Sequence, residues 1–305
     1  MQIRAVVALL AAVAVSAVAS EGKLTPVPTA AAGPQTVAAA MQRFREVHPA
    51  PLRVAKSVNK LRRARTNVIE FESADNAFLI PAAGNVQGSN GTFFRSDVTF
   101  VNYNDTAQNV GVGFLINGKD NTNEPLTHFT IDPQTVVTIP DFVGTTLKTS
   151  GLGSLLVLAF DSTGANIDDA ATIDAFSRIW TPQPGSAGTV SQSFPAVSLF
   201  DSVDNFTAIA LGLRADAGFR TNIGVVNLDS VKHTWTISSV NNGKSFTMDV
   251  QPFSLSQTGV PADWAGAGGA LAIAYDVPDQ GFTWSAYASS VDNLTGDGWV
   301  ARGTQ

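Results

Sequence analysis

Phe94-Arg95-Ser96-Asp97-Val98-Thr99-Phe100-Val101-Asn102 returns later in the chain as Phe219-Arg220-Thr221-Asn222-Ile223-Gly224-Val225-Val226-Asn227. Phe129-Thr130-Ile131-Asp132 returns as Phe246-Thr247-Met248-Asp249, and Gly153-Ser154-Leu155-Leu156-Val157-Leu158-Ala159-Phe160-Asp161 as Gly268-Gly269-Ala270-Leu271-Ala272-Ile273-Ala274-Tyr275-Asp276. The offsets are 125, 117 and 115 residues, so the blocks keep their order while the loops change length. Such a duplication sets the architecture before any residue has a role. The period inside the blocks is two, which is that of a strand with one buried face. Phe94, Val98 and Phe100 share a face, as do Phe219, Ile223 and Val225, and that face is the predicted core. Arg95 and Asp97 share the opposite face, as do Arg220 and Asn222.

Outward from these blocks, alternation continues between turns such as Asn117-Gly118, Asn242-Gly243, Pro184-Gly185 and Gly296-Asp297-Gly298. This pattern predicts an all-β protein: two tandem, internally duplicated antiparallel β-sandwiches of Ig-like type. Strands are expected near 67–73, 77–83, 93–103, 108–116, 126–132, 135–139, 153–161, 171–180 and 189–195 in the first repeat. In the second they are expected near 194–200, 206–213, 218–228, 232–240, 244–250, 252–257, 268–276, 281–291 and 298–302. Short helical turns are expected at Pro140 to Thr145 and Pro261 to Ala265. Leu156, Leu158 and Phe160 align with Leu271, Ile273 and Tyr275. The alternate positions are Leu155, Val157 and Ala159 in one repeat and Ala270, Ala272 and Ala274 in the other. An alanine-only face suggests close packing, with the other repeat as the expected occupant. No Pro/Gly/Ser-rich spacer lies between Ala187 and Asp201, so the sandwiches are expected to share an interface.

Ahead of the repeats, Arg4, the apolar run Ala5 to Val15 and Ala17-Val18-Ala19 read as a secretory signal peptide over residues 1–19. Residues 20–66 read as a basic linker or arm, flexible or partly helical, with helices expected over Pro34 to Val47 and Leu52 to Arg65. The expected sandwiches then span 67–190 and 191–305. Between Arg43 and Arg65 stand eight basic residues against Glu46 alone, whereas from Thr66 onward nine basic face 23 acidic residues, a net of −14. The arm is expected to be solvated, with binding to anionic lipid, to a cell-wall polymer or to the body itself as the alternatives, and Arg62-Arg63-Ala64-Arg65 is expected to be a processing site. An acidic body argues against nucleic acid as partner, and no stretch of the mature chain is long and apolar enough for an integral membrane segment. There is no cysteine, which removes disulfides, thiolate metal sites and thiol catalysis.

The segments Ile80-Pro81-Ala82, Gly91-Thr92-Phe93-Phe94-Arg95-Ser96-Asp97 and Tyr287-Ala288-Ser289-Ser290-Val291-Asp292-Asn293-Leu294-Thr295-Gly296-Asp297 resemble uncharacterised secreted bacterial proteins built from tandem β-sandwich modules. The resemblance covers roughly residues 67–302 and implies the fold and secretion. It implies no activity.

Catalytic signatures are sparse. His48, His128 and His233 lack zinc spacing, and no Gly-x-Ser-x-Gly elbow marks a nucleophile. Gly266-Ala267-Gly268-Gly269 precedes a strand and lacks the Lys-Ser/Thr of a phosphate loop. Asp168, Asp169 and Asp174 cluster, and Asp161 and Asp276 end equivalent strands; capping of turns explains them more simply than glycoside cleavage. Asp120, Asn123 and Glu124 are weak calcium candidates on an oxygen-rich loop that lacks the EF-hand pattern. Arg95, Asp97 and Arg220 are candidate ligand-binding residues, although an Arg kept in both repeats first suggests a clip on a neighbouring carboxylate. Trp284 and Trp299 are the candidate sugar-stacking residues of the Trp-rich second repeat, and Phe282 shares a strand face with Trp284. The expected function is a secreted, non-enzymatic structural or interaction module of the cell envelope or extracellular space, with no cofactor and with an envelope protein or glycan as partner. The alternatives are a carbohydrate-binding module using the second-repeat aromatics and, less favoured, a carboxylate-dependent hydrolase.

Overall fold

A computed structural model describes residues 24–27, 33–49, 75–88, 91–183, 185, 187–203, 207–279 and 281–304. In chain order the elements are β1 (Thr25–Pro26), α1 (Val37–Val47), β2 (Ala77–Gln87), β3 (Phe93–Asn102), β4 (Gln108–Ile116), β5 (Leu126–Ile131), β6 (Thr135–Ile139), β7 (Gly151–Phe160), β8 (Ile173–Pro182), β9 (Thr189–Pro195) and β10 (Val197–Ser198). There follow β11 (Thr207–Arg214), β12 (Phe219–Asn227), β13 (His233–Ser239), β14 (Ser245–Val250), β15 (Ser254–Gly259), β16 (Ala270–Asp276), β17 (Trp284–Asp292) and β18 (Gly298–Arg302). Single helical turns fall at Phe142–Thr146 and Ala262–Trp264, the two places where they are expected. The expected strand at 67–73, the second arm helix and the processing site lie outside the described residues.

The pairing repeats as the sequence does. In the first half β5-β4-β7-β2 form one sheet and β6-β3-β8-β9 the other; in the second half β14-β13-β16-β11 and β15-β12-β17-β18 take the same places. All the ladders are antiparallel. The first half adds two features. Strand β2 bends at an irregularity between Ile80 and Ala83, where Pro81 cannot donate to a ladder, and its last residues Val86 and Gln87 pair with β3. Short strands also extend its first sheet, β1 on the edge of β5 and β10 on the edge of β2. The expected strand near 194–200 is therefore only β10, followed by a 3-10 turn at Leu199–Asp201.

Each sandwich closes on the faces that alternation selects. Val98 and Phe100 on β3 are buried against Phe142 and Phe129, whose rings stack edge-on or tilted at 5.4 Å (Phe100–Phe142) and 5.9 Å (Phe129–Phe142). The second core holds Ile223, Val225, Trp235, Ile237, Ile273, Tyr275 and Trp284.

Helix α1 overturns the expectation of a solvated arm. Thr36 caps it by accepting from Ala39 N, and Val37, Ala40, Met41 and Phe44 on one stripe are fully buried in an apolar cluster continuous with the first half. The helix lies on the outer face of the β4–β7 sheet. A Cβ on Gly113 would sit 2.5 Å from Val37 Cγ2, so a glycine is what lets the helix approach. Gly113 and Leu156 are register partners, as are Gly111 and Leu158. Leu156 and Leu158 therefore lie under α1, and Leu155, Val157 and Ala159 face the opposite sheet.

The matching alanine face on β16 has no cover among the described residues: Ala270 is exposed, and Ala272 and Ala274 are half-buried. The expectation that the other repeat packs there is corrected. The sandwiches do share an interface, but it uses the outer face of β15-β12-β17. Val226, Leu228, Phe253, Leu255 and Tyr287 join the core of the first half, with Phe194 and Tyr287 edge-on at 5.5 Å. Gly118 N donates to Leu255 O (2.8 Å), Gln257 N to Asn117 Oδ1 (2.9 Å) and Ser254 Oγ to Ile116 O (3.1 Å). Arg45 of α1 adds a bond to Leu228 O at 2.8 Å. A mixed apolar and hydrogen-bonded contact of this kind fixes the two modules as neighbours.

Candidate functional site

Strand alternation sends Phe93, Arg95, Asp97, Thr99 and Val101 outward from β3, and Phe176, Arg178 and Trp180 outward from β8. The register sets Arg95 opposite Trp180, Asp97 opposite Arg178 and Thr99 opposite Phe176. Directly opposed residues share a face, so these side chains form one surface. The Arg95 guanidinium lies 4.8 Å from the Phe93 ring and 5.8 Å from the Trp180 ring, and that of Arg178 is 5.9 Å from Trp180. An indole flanked by two guanidiniums is a cation–π arrangement.

Carboxylates hold the cations in place. Arg178 Nη1 is 3.5 Å from Asp97 Oδ2, and Arg95 Nε is 3.7 Å from Asp141 Oδ2. Asp141 has φ 47°, a left-handed backbone, and its carboxylate also accepts from Asn85 Nδ2 at 2.8 Å. Asp97 in turn accepts from Asp141 N at 3.2 Å. Arg95 and Asp97 thus come together on one surface, but each is paired with a residue outside the quoted motif. Both arginines remain more than a third exposed, so these surface pairs order the side chains more than they stabilise the fold. The face offers a flat aromatic, two oriented cations and, from the neighbouring strand β6, the apolar Val136, which is 61% exposed.

Arg178, Trp180, Phe176 and Asp141 were not expected site residues. The signal for the first three is present in β8, where Phe176, Arg178 and Trp180 alternate with Ala175, Ser177 and Ile179: aromatic and charged residues share one face. In the second half the same positions carry Val291 opposite Arg220 and Ser289 opposite Asn222. Arg220 there donates to Asn293 Oδ1 at 2.7 Å, and Ser289 Oγ to Gln192 Oε1 across the interface at 2.8 Å. At these strand positions the second half has no tryptophan beside its arginine; its arginine–aromatic contact lies elsewhere, with Arg214 4.0 Å from the Phe219 ring.

The second-repeat tryptophans are mostly core. Trp284 is fully buried, with Trp235 at 5.7 Å, and Trp264 is 4% exposed. Burial overturns the reading of Trp284 as a sugar platform, and Phe282 beside it is buried too. Trp299 is 38% exposed, and its Nε1 donates to Gly212 O at 2.8 Å, where it fills the seam between β18 and β11.

The calcium candidates do not converge. Asp120 Oδ1 accepts from Thr122 N and Thr122 Oγ1, an Asx turn within the loop, and Glu124 gives its backbone carbonyl to Val37 N. Burial pushes the Glu124 carboxyl above its ordinary range, opposed by the charge of Lys119. Among the described residues no group of three or more His, Asp or Glu side chains is arranged to hold a metal. His233 stacks on Phe282 at 3.8 Å, with Asp279 2.8 Å from Nδ1 and Asp229 3.0 Å from Nε2. Those carboxylates sit on opposite edges of the ring and share no substrate position. Asp161 accepts from Thr163 and Asn166 of its own turn, and Asp276 accepts from Thr207 Oγ1.

No helix among the described residues is long and apolar enough to cross a membrane. No protein-family model matches the chain, and no curated protein matches it.

Proposed function

We propose that the protein is a secreted, non-enzymatic interaction module of the cell envelope or extracellular space, with the outer face of β3 and β8 as its contact surface. One observation carries the reading: Trp180 lies between Arg95 and Arg178, on the one β3-type face that no other part of the described chain covers. Aromatics and arginines are the residues that contribute most at contact surfaces, and here the two arginines are held by Asp97 and Asp141. The apolar start of the chain supports secretion. The test is capture from envelope extracts by the full chain, compared with Trp180→Ala and Arg178→Glu. Retention should fall sharply in both variants; unchanged retention in both removes this face from the function.

A carbohydrate-binding reading is the alternative, moved from the second repeat to the first. Trp180 offers the flat ring and half-exposed surroundings that Trp284 lacks. Binding on a glycan array that is lost in Trp180→Ala and kept in Trp299→Ala supports it, whereas binding that ignores Trp180 ends it.

A further inference from the structure

We propose that the outer face of β3 and β8 takes a linear, uncharged polysaccharide, laid along β8 from Trp180 to Phe176. This rests on the reading of that face as the contact surface and names the class of ligand. Phe176, Arg178 and Trp180 share one face of β8. Four steps of strand separate the two rings, about 13 Å at the rise of a strand. That is a track for several sugar units rather than a seat for one. Midway along it the register sets Asp97 beside Arg178, and at its far end Thr99 stands beside Phe176 with Thr138 beyond.

The indole is open to stacking. The Arg95 and Arg178 guanidiniums stay 5.8 and 5.9 Å from its centroid, near the outer limit of cation–π contact. A guanidinium laid on a ring comes closer, to 4.0 Å for Arg214 on Phe219. Neither arginine therefore lies flat on Trp180. A half-buried aromatic with wet surroundings suits the C–H face of a sugar ring.

The polar groups are those that hydroxyls need. A hydroxyl both donates and accepts. Arg178 offers donors and Asp97 acceptors at the middle of the track, and their 3.5 Å ion pair is longer than a hydrogen bond. The 3.7 Å pair of Arg95 with Asp141 likewise leaves hydrogen-bonding capacity beside Trp180. The Thr99 and Thr138 hydroxyls bond to each other at 2.8 Å, which leaves one O–H free to donate near Phe176.

Charge decides against the other classes. Arg95 and Arg178 are matched by Asp97 and Asp141, Asp174 adds a carboxylate opposite Val101, and the chain from Thr66 onward is acidic. An anionic polymer gains nothing on such a face. A protein partner would bury the Arg178–Asp97 pair between the two rings, where desolvation offsets the attraction, and the cores of protein interfaces are depleted of such charges. A polyhydroxyl chain instead replaces the water on those groups bond for bond.

The test is calorimetric titration of the full chain with a soluble β-glucan, xylan and galactomannan, and with pectate and alginate as the anionic arm. Binding of at least one neutral polymer is expected, with an affinity that holds between about 50 and about 500 mM salt, since no net charge is neutralised. Trp180→Ala and Phe176→Ala should each weaken it about tenfold by removing a stacking ring. Arg178→Ala, at a site more than a third exposed where the fold is least at risk, should weaken it about fivefold. Val240→Lys, on the exposed turn after β13, should bind as wild type. Binding of the anionic polymers alone, or a steep loss with salt, overturns the uncharged class. No binding of any neutral polymer, or binding indifferent to all three β8 variants, overturns the proposal. If capture from envelope extracts nevertheless depends on Trp180, the ligand class alone is wrong. If neither assay responds to Trp180→Ala, the contact face itself is wrong.

Discussion

Asn102 and Asn227 close the same strand in the two sandwiches and make the same bonds. Asn102 Nδ2 donates to the carbonyls of Thr106, Ile131 and Asp132 at 2.9, 3.1 and 3.0 Å, and Asn227 Nδ2 to those of Val231, Val250 and Gln251 at 2.7, 3.4 and 3.1 Å. Each Oδ1 accepts the backbone N–H two residues on, at 2.9 Å. Both side chains are fully buried. One amide thus satisfies carbonyls from two connections that would otherwise be stranded in the core.

Replacement of either asparagine by alanine should therefore cost about 2–4 kcal/mol, because several buried groups lose their partner together. Asn→Asp should be worse, since a carboxylate would face three carbonyl oxygens. Urea unfolding of N102A and N227A checks this, with similar losses expected from the two.

The seating of α1 makes a second prediction. Phe44 is fully buried, with its ring centroid 5.4 Å from Phe200. Phe44→Ala should cost about 3–5 kcal/mol. Gly113→Ala should loosen the helix more locally, since the new Cβ meets Val37. Amide exchange should then speed up in residues 37–47 ahead of the sheets.

Much of this fold is readable from alternation alone. Strands β4, β6, β9 and β18 begin and end where the sequence pattern places them, and the Arg95–Asp97 face is correctly set against the core. The later strand is not readable in the same way. Alignment on its glycines equates Leu156 with Leu271, an offset of 115 residues. Cross-strand partners equate Val157, opposite Val112, with Tyr275, opposite Ile237, an offset of 118. A shift of three is odd and exchanges the two faces of the strand. When both faces are apolar, as on β7, sequence does not reveal which is inner, because the cover is a helix some hundred residues away. Trp284 misleads for a related reason: a tryptophan on a strand has the same spacing whether it points inward or outward.

Alkaline pH should probe the second core at Tyr275 and its interface with the first sandwich at Tyr287. Tyr103, Tyr275 and Tyr287 are the three tyrosines of the chain, and all are pushed above the ordinary phenol range by burial. Tyr275 also donates to Tyr287 O at 2.8 Å, and Tyr287 to Gln257 Oε1 at 2.5 Å. A raised pKa in the folded state favours the neutral phenol. The stabilisation is thus complete below pH ~10 and is lost as pH rises through the folded values. Absorbance at about 295 nm, the band of tyrosinate, should show no tyrosine half-ionised at pH ~10 in the native protein. Ionisation of Tyr275 and Tyr287 should then coincide with loss of the near-UV circular dichroism of the core.

Acid should act on the first sandwich instead. Burial depresses the His128 imidazole below its ordinary value, partly offset by the Pro34 carbonyl 3.2 Å from Nε2. A lowered histidine pKa contributes stability that is present above pH ~6.5 and lost as pH falls through the folded value. His128 also accepts Val27 N on its backbone carbonyl, next to the β1–β5 pairing. Protonation should loosen the N-terminal segment first. Limited proteolysis at pH ~5 should cut before β2 faster than at pH ~7.5, and His128→Gln should flatten that difference.

The two tryptophans that define the rival surfaces should separate fold from function. Trp284 packs on Trp235 in the middle of the second core, and its backbone exchanges hydrogen bonds with Val203. Trp284→Ala should cost about 3–5 kcal/mol and abolish binding only by unfolding that sandwich. Trp180 is half-buried on an open face, and its neighbours Arg95 and Arg178 keep their carboxylate partners without it. Trp180→Ala should cost about 1–2 kcal/mol, the loss of a partly buried aromatic, and should leave the thermal transition cooperative. Binding measured well below that transition should then fail in Trp180→Ala while circular dichroism stays native. If Trp180→Ala binds normally and a folded, stabilised Trp284→Ala does not, the contact surface lies in the second sandwich, and the exposed seam at Trp299 becomes the place to look.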